Sequence, residues 1–413
     1  MSSAKKNYYT VGLIFIIFFV ISFLTNILGP IIPDIINSFQ LSLGLAGFLP
    51  FSFFVAYGVT SIPAGILVEK IGEKKVMILS FGLATAGAAL FAFFPTFLVS
   101  LLSLFIIGIG MAMLQVAINP LLRVSGGEEH FAFNSAFAQL IFGAASYISP
   151  LVYSYLVANL SDKASVKPWH IKLLSEIVPD NFPWISLYWV FSLVAMVMII
   201  IISVWKFPRF ELNEDEKIGA WETHKLLLKN KYVILFFTGI FCYVGTEQGV
   251  SNWISKFLYD YHGVNPQTSG AETVSYFWGA MTAGCLLGLF LLKKFDSRKV
   301  LIAFVTAAMI CLTIGLLGTL KMAMAALPAV GFFLSVMFPI VISLALNSLK
   351  DHHGSFSGIL CSGIIGGAII PLIIGWVGNY TGLRFSLMIL YLPLGYLLSI
   401  GFWAKPLIKN ATY

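Results

Sequence analysis

Twelve long apolar runs, almost free of charge, follow one another along the chain. Roughly 20 helical residues cross a hydrocarbon core, so each run is a candidate membrane span. Lipid offers no partner to a free backbone N–H or C=O, so the runs must be helices. Composition agrees: 59% of the residues are hydrophobic and 10% charged, with a mean hydropathy of +0.91. A soluble domain could not hide that much apolar surface.

The spans are predicted at 8–32, 44–68, 75–94, 97–122, 132–157, 184–205, 232–255, 270–292, 300–319, 323–347, 355–377 and 384–404. The first run is too long for a signal peptide and no small-residue cleavage site ends it, so no cleavable leader is expected.

The formal charge is +7, from 25 Lys and Arg against 18 Asp and Glu. Assigned to alternate ends of the spans, 19 of the 25 cations share one end with Lys70, Lys74, Lys75, Arg298 and Lys299. The other 6, including Lys167, Lys256 and Arg384, share the opposite end. The positive-inside rule makes the richer end cytoplasmic, with both termini inside and the protein in the inner (plasma) membrane. The basic balance is thus a topology signal and calls for no nucleic acid.

Cys242, Cys285, Cys311 and Cys361 all fall within apolar runs, where packing is the favoured reading. The six histidines fall in loops or at span ends, and no His, Asp or Glu cluster sits at depth to hold a metal. No nucleophile–base pair shows there either, so an enzyme is not expected. Asn159-Leu160-Ser161 fits a glycosylation acceptor, a weak pattern by itself.

The charged segment 206–231 divides six spans from six: a bundle over 1–205, a cytoplasmic linker, and a second bundle over 232–413. The halves echo each other. Gly65 matches Gly288, Pro120 matches Pro339 and Pro150 matches Pro371, at offsets of 223, 219 and 221. A near-constant offset argues for duplication of a six-span unit. Transporters of the major facilitator type are built this way, with substrate held between the halves.

Polar side chains at depth usually face the interior. Span 1 carries Ser22, Thr25 and Asn26. Span 4 carries Gln115 and Asn119, on one helix face. Span 5 begins with Asn134 and carries Gln139. Span 7 is richest: Tyr243, Glu247 and Ser251 form one i, i+4 row, and Gln248 and Asn252 the next. Span 8 adds Tyr276 and Trp278. Amides bind hydroxyls and rings cover C–H faces, which suits a neutral polyol. Plain helix–helix packing is the competing reading for any single one of them. Glu247 is the one formal charge between Lys231 and Lys256. A carboxylate out of water is costly unless it takes a proton or a cation.

Pro63-Ala-Gly-Ile-Leu67, Ala117-Ile-Asn-Pro120, Phe241-Cys-Tyr-Val-Gly245, Phe338-Pro339 with Ser343-Leu344, and Ile365-Gly-Gly-Ala-Ile-Ile-Pro371 recur in an order that is familiar. Together they resemble the fucose–galactose–glucose:proton symporter family of the major facilitator superfamily. The likeness covers nearly the whole chain. It implies a monosaccharide cavity and proton-coupled uptake. Two departures stand out. The fucose-transporting member of that family has acidic residues where this chain has Asn26 and Gln115. Asn and Gln keep the hydrogen-bonding shape and lose the titration, so those two positions cannot carry a proton here. Glu247 occupies a position that resembles a neutral amide in that relative.

The expectation is an all-α integral membrane protein with twelve helices in two pseudo-symmetric bundles, moving a hexose or deoxyhexose by alternating access. Asn26, Gln115, Asn119, Gln139, Gln248, Asn252, Tyr276 and Trp278 are expected to bind sugar, with Glu247 as the cation-coupling residue. The coupling ion, proton or sodium, is open. No cofactor, metal or catalytic residue is expected, and the chain is expected to be a monomer in the bilayer. Passive facilitation, export of an amphipathic small molecule and non-transporting sugar sensing stand as alternatives.

Overall fold

The computed structural model describes residues 8–126, 131–162, 167–207, 221–349 and 353–405. Among these residues the regular structure is helical throughout, and 12 helices are long and apolar enough to cross a membrane. Spans 1–6 run Tyr8–Phe39, Leu43–Val68, Glu73–Phe93, Phe97–Ile118, Phe137–Ser161 and Pro183–Val204. Spans 7–12 run Lys231–Ser251, Pro266–Leu292, Ser297–Leu317, Leu320–Leu346, Ser355–Thr381 and Leu383–Trp403. Each of the twelve expected runs becomes one of them. Of the expected linker, 208–220 lie outside the described residues. The short helix Trp221–Leu227 follows, and Asn230 then caps span 7 by accepting from the Tyr232 backbone N–H at 2.9 Å.

Span 1 departs most from expectation. It ends at Phe39, not near 32, and it is not continuous. A helix over Tyr8–Thr25 stops, Asn26 and Ile27 turn, and a second helix runs Leu28–Phe39. Pro30 lies in the first turn of that second helix, where a missing N–H costs little. Span 7 repeats the device: its helix stops at Ser251, Asn252 and Trp253 turn, and a helix over Ile254–His262 continues. Span 10 breaks between Leu334 and Met337.

The halves meet through span 2 against span 11 and span 5 against span 8. Within each half one cation closes the end of the last helix. Lys74 Nζ donates to the carbonyls of Ser203 (2.7 Å) and Trp205 (2.8 Å), past span 6. Arg298 Nη1 donates to the carbonyl of Ala404 (3.4 Å), past span 12. A cation on the negative end of a helix is favourable, and its recurrence supports the duplication read from the prolines.

At the lysine-poor end the halves are pulled together. The Gly44 N–H donates to Asn379 Oδ1 at 3.0 Å, and Gln267 Nε2 donates to Asp34 Oδ1 at 3.0 Å. The backbones also touch there: a Cβ added at Gly29 of span 1 would fall 2.2 Å from the Ser251 carbonyl oxygen of span 7. Toward the lysine-rich end span 2 still meets the start of span 11, and the seam of spans 5 and 8 becomes accessible. Gly143 of span 5 still abuts Thr282 of span 8. One turn further, on the same face, Gln139 is exposed. The seam between spans 5 and 8 is therefore accessible toward the lysine-rich end.

Candidate functional site

Span 7 carries a bonded polar row at the seam of the two halves. Its i, i+4 spacing stacks Tyr243 on Glu247, so the Tyr243 hydroxyl donates to Glu247 Oε2 at 2.6 Å. Gln248 Nε2 donates to Glu247 Oε1 at 3.0 Å, and Asn252 Nδ2 approaches Gln248 Oε1 at 3.4 Å. Both carboxyl oxygens thus have a donor from the same helix, and none of these donors is a cation. Gln248 and Asn252 are buried, whereas Glu247 keeps accessible surface. Glu247 is thus the member of the row that is not fully enclosed.

Gln248 lies at the seam of the two bundles. A Cβ at Gly367 of span 11 would meet Gln248 Cγ and Phe54 Cγ of span 2, each at 3.1 Å. Glycine at 367 lets these side chains close over one another. The Tyr243 ring stands 5.5 Å from the Phe338 ring of span 10 at 48°. Beside it, Cys285 Sγ contacts the Ser335 carbonyl at 3.5 Å, at the break in span 10. Broken helices at spans 1, 7 and 10 put backbone polar groups at membrane depth, where only a protein-lined cavity tolerates them. Two side-chain atoms here are buried without a hydrogen-bond partner: Ser251 Oγ, one turn beyond Glu247, and Trp278 Nε1. Buried donors and acceptors are ordinarily paired, so both are exceptions to that rule.

The other predicted residues distribute less simply. Asn26 is buried and donates through Nδ2 to Ser146 Oγ at 2.8 Å. Ser146 pairs with Ser22 at 2.6 Å, and Ser22 donates to the Phe142 carbonyl at 2.5 Å. Asn26 therefore belongs to a polar seam that ties span 1 to span 5 inside one half. Gln115 is half-buried on span 4, and the side chain of Asn119 lies outside the described residues. Gln139 sits on the face turned to span 8, nearer the lysine-rich end.

Tyr276 and Trp278 do not stand together. Two positions on a helix point about 200° apart. Trp278 is buried, while Tyr276 is 49% exposed on a stripe with Ala283, Leu287 and Phe290. The two residues therefore lie on different faces of span 8.

Sequence reasoning missed Asp34, which it left beyond the end of span 1. The residue is buried, accepting from Tyr153 of span 5 and from Gln267 at the start of span 8. A single acid inside Ile31-Ile-Pro-Asp-Ile-Ile36 was the available signal. The two neighbouring prolines disguised it as a loop.

Comparison with known proteins narrows what such an arrangement does. The model of the Major Facilitator Superfamily matches residues 14–360. The glucose/galactose transporter of Brucella abortus is 31% identical over 406 residues, 97% of this chain and 95% of that one. The L-fucose-proton symporter of Escherichia coli is 26% identical over 388 residues, 89% of this chain and 86% of that one. Among solved structures, the transporter FucP in its outward conformation superposes with a TM-score of 0.69 at 23% identity, covering 96% of this chain and 98% of that one.

Proposed function

Because the chain belongs to the Major Facilitator Superfamily, we propose that it carries a neutral monosaccharide, a hexose or deoxyhexose, by alternating access with cation symport. It is a transporter and not an enzyme. The relatives named for glucose, galactose and L-fucose support the substrate class. The observation that carries the reading is the row Tyr243–Glu247–Gln248–Asn252, whose members are bonded to one another at the seam of the two halves. It offers neutral amides and a hydroxyl to a polyol, and one carboxyl to a cation. Trp278, Gln115 and Gln139 flank the same space in this reading.

Glu247 is the coupling residue in this proposal. Its carboxyl has two neutral donors, keeps some accessible surface, and has Ser251 Oγ, unpartnered, one turn away. A proton would neutralise it. A sodium ion would use it ionised, with Thr246, Gln248 and Ser251 as further oxygens. The chain acts as a monomer in the inner membrane, with the lysine-rich end and both termini in the cytoplasm.

Counterflow of labelled glucose, galactose and L-fucose into proteoliposomes, with and without sodium, tests the reading directly. Saturable exchange of at least one sugar is expected. A protein that binds sugar but never exchanges it would be a sensor, and one that exchanges none of the three would not have this function.

A further inference from the structure

Among the described residues Asp34 is the one charged side chain that is fully buried, at 7% exposure. The transport site does not use it: it lies at the lysine-poor end, two turns past the break in span 1. Its two oxygens are divided between the halves. Oδ2 accepts from the hydroxyl of Tyr153, itself wholly buried in span 5 of the same half. Oδ1 accepts from Gln267 Nε2 at 3.0 Å, across the seam. The turn that presents Gln267 is itself held, because the Gln267 backbone N–H donates to Asn265 Oδ1 at 2.8 Å.

A buried carboxyl is tolerated only where donors replace water. One of the donors to Asp34 arrives only when the halves come together at this end. When they separate, water reaches the carboxyl instead. The exchange of water for Gln267 is thus tied to closing and opening. We infer that Asp34 and Gln267 form the latch of the lysine-poor gate, with Asp34 as a positioning residue that sets the balance between the two access states. The inference rests on the alternating-access reading above but not on the identity of the sugar.

The physics gives the latch an unusual signature. Gln267→Ala leaves the Asp34 carboxyl buried and short of a donor whenever the gate is shut, so closure becomes unfavourable. Removing the carboxyl as well takes away the group that was stranded; the Tyr153 hydroxyl loses its acceptor too, but within one half and so in both access states, and Asp34→Ala on top of Gln267→Ala should restore closure. Residues in contact couple to some degree in any case, so the mark of the latch is that the second substitution restores closure instead of only costing less than expected.

Spin labels at Asn37 and Tyr380, exposed positions on opposite halves of this end, report the opening by pulsed electron paramagnetic resonance in a cysteine-free background. Gln267→Ala is expected to raise the ratio of the long-distance to the short-distance population by about ten- to a hundredfold, the effect of stranding a buried polar group. The double variant should return most of the way to the parent. If Gln267→Ala does not fold, Gln267→Glu sets a second carboxyl against Asp34 and should open the end in the same direction. Unchanged distances in the single variant, or a double variant as open as the single one, would overturn the latch. The measurement needs no substrate, so a failed sugar assay would count against the sugar and leave this result standing.

Discussion

Asn26 and Asn252 occupy the same place in the two halves: each begins the two-residue turn at which a membrane helix stops and restarts. They lie 226 positions apart, close to the offsets of the repeated prolines. Their side chains have diverged. Asn26 is committed to Ser146 of its own half, while Asn252 joins the polar row at the seam. One break has become a joint within a bundle and the other part of the candidate site.

Paired substitutions should separate these roles. Gln248→Ala and Asn252→Ala are expected to weaken sugar binding by about ten- to a hundredfold, the cost of leaving a buried polar partner unmet, ~1–3 kcal/mol. Asn26→Ala should lower thermal stability in detergent by about 1 kcal/mol while changing sugar affinity less. Titration of sugar binding by tryptophan fluorescence, run beside thermal melts, checks both. Equal loss of affinity in all three variants would put Asn26 back in the sugar site.

Glu247→Gln keeps the shape of the side chain and removes its charge and titration. The variant should lose accumulation driven by an imposed proton or sodium gradient and retain sugar exchange down a gradient. Uptake with each gradient imposed in turn measures this. A variant that still concentrates sugar would show that coupling runs elsewhere.

A third expectation concerns the loop before span 9. The Arg298 guanidinium, hydrogen-bonded to Asp296, holds its carboxyl below the usual carboxylate range. A depressed folded-state pKa stabilises the protein above the unfolded value, about 3.9, and the benefit fades as pH falls through the folded one. Asp296→Asn retains a side-chain acceptor for the Arg298 backbone N–H and loses the charge. It should melt lower at neutral pH by the equivalent of a few tenths of a kcal/mol, since the pair is more than one-third exposed. The gap between wild type and variant should narrow below about pH 4. A gap independent of pH would mean that the charge contributes nothing.

Much of this was legible in the sequence because one solvent imposes the pattern. Lipid admits only long apolar helices, so Tyr8–Phe39 and its eleven successors announced themselves, as did the lone carboxyl at Glu247. The breaks were not legible. Thr25-Asn26-Ile27 carries neither glycine nor proline; the local signal is Pro30, which cannot donate to the Asn26 carbonyl four residues back, and it reads as the end of the span, not as a break inside it. The turn is stabilised by partners far along the chain, such as Ser146. Asp34 was hidden for the converse reason: Pro30 and Pro33 signal a helix end, yet both are accommodated in the helix over Leu28–Phe39. Periodicity also places residues on a face without saying which face is inward, and so Tyr276 was grouped with Trp278.

Gly29→Ala probes the contact between spans 1 and 7. The added methyl would fall 2.2 Å from the Ser251 carbonyl oxygen, which is backbone and cannot swing aside. The substitution is expected to reduce sugar exchange strongly while leaving membrane insertion intact, because exchange needs both access states. Exchange at the wild-type rate would show that the backbones stand further apart than described.

That same contact has a bearing on leakage. Side chains that cover an opening fluctuate between rotamers and let water and ions slip past. Main chain pressed on main chain has no such freedom. With Gly29 seated on Ser251, this end can admit solvent only when whole helices move. Under the cation-coupled cycle proposed above, stray protons or sodium ions would then find no partial opening to run down, and the gradient would be spent on transport alone.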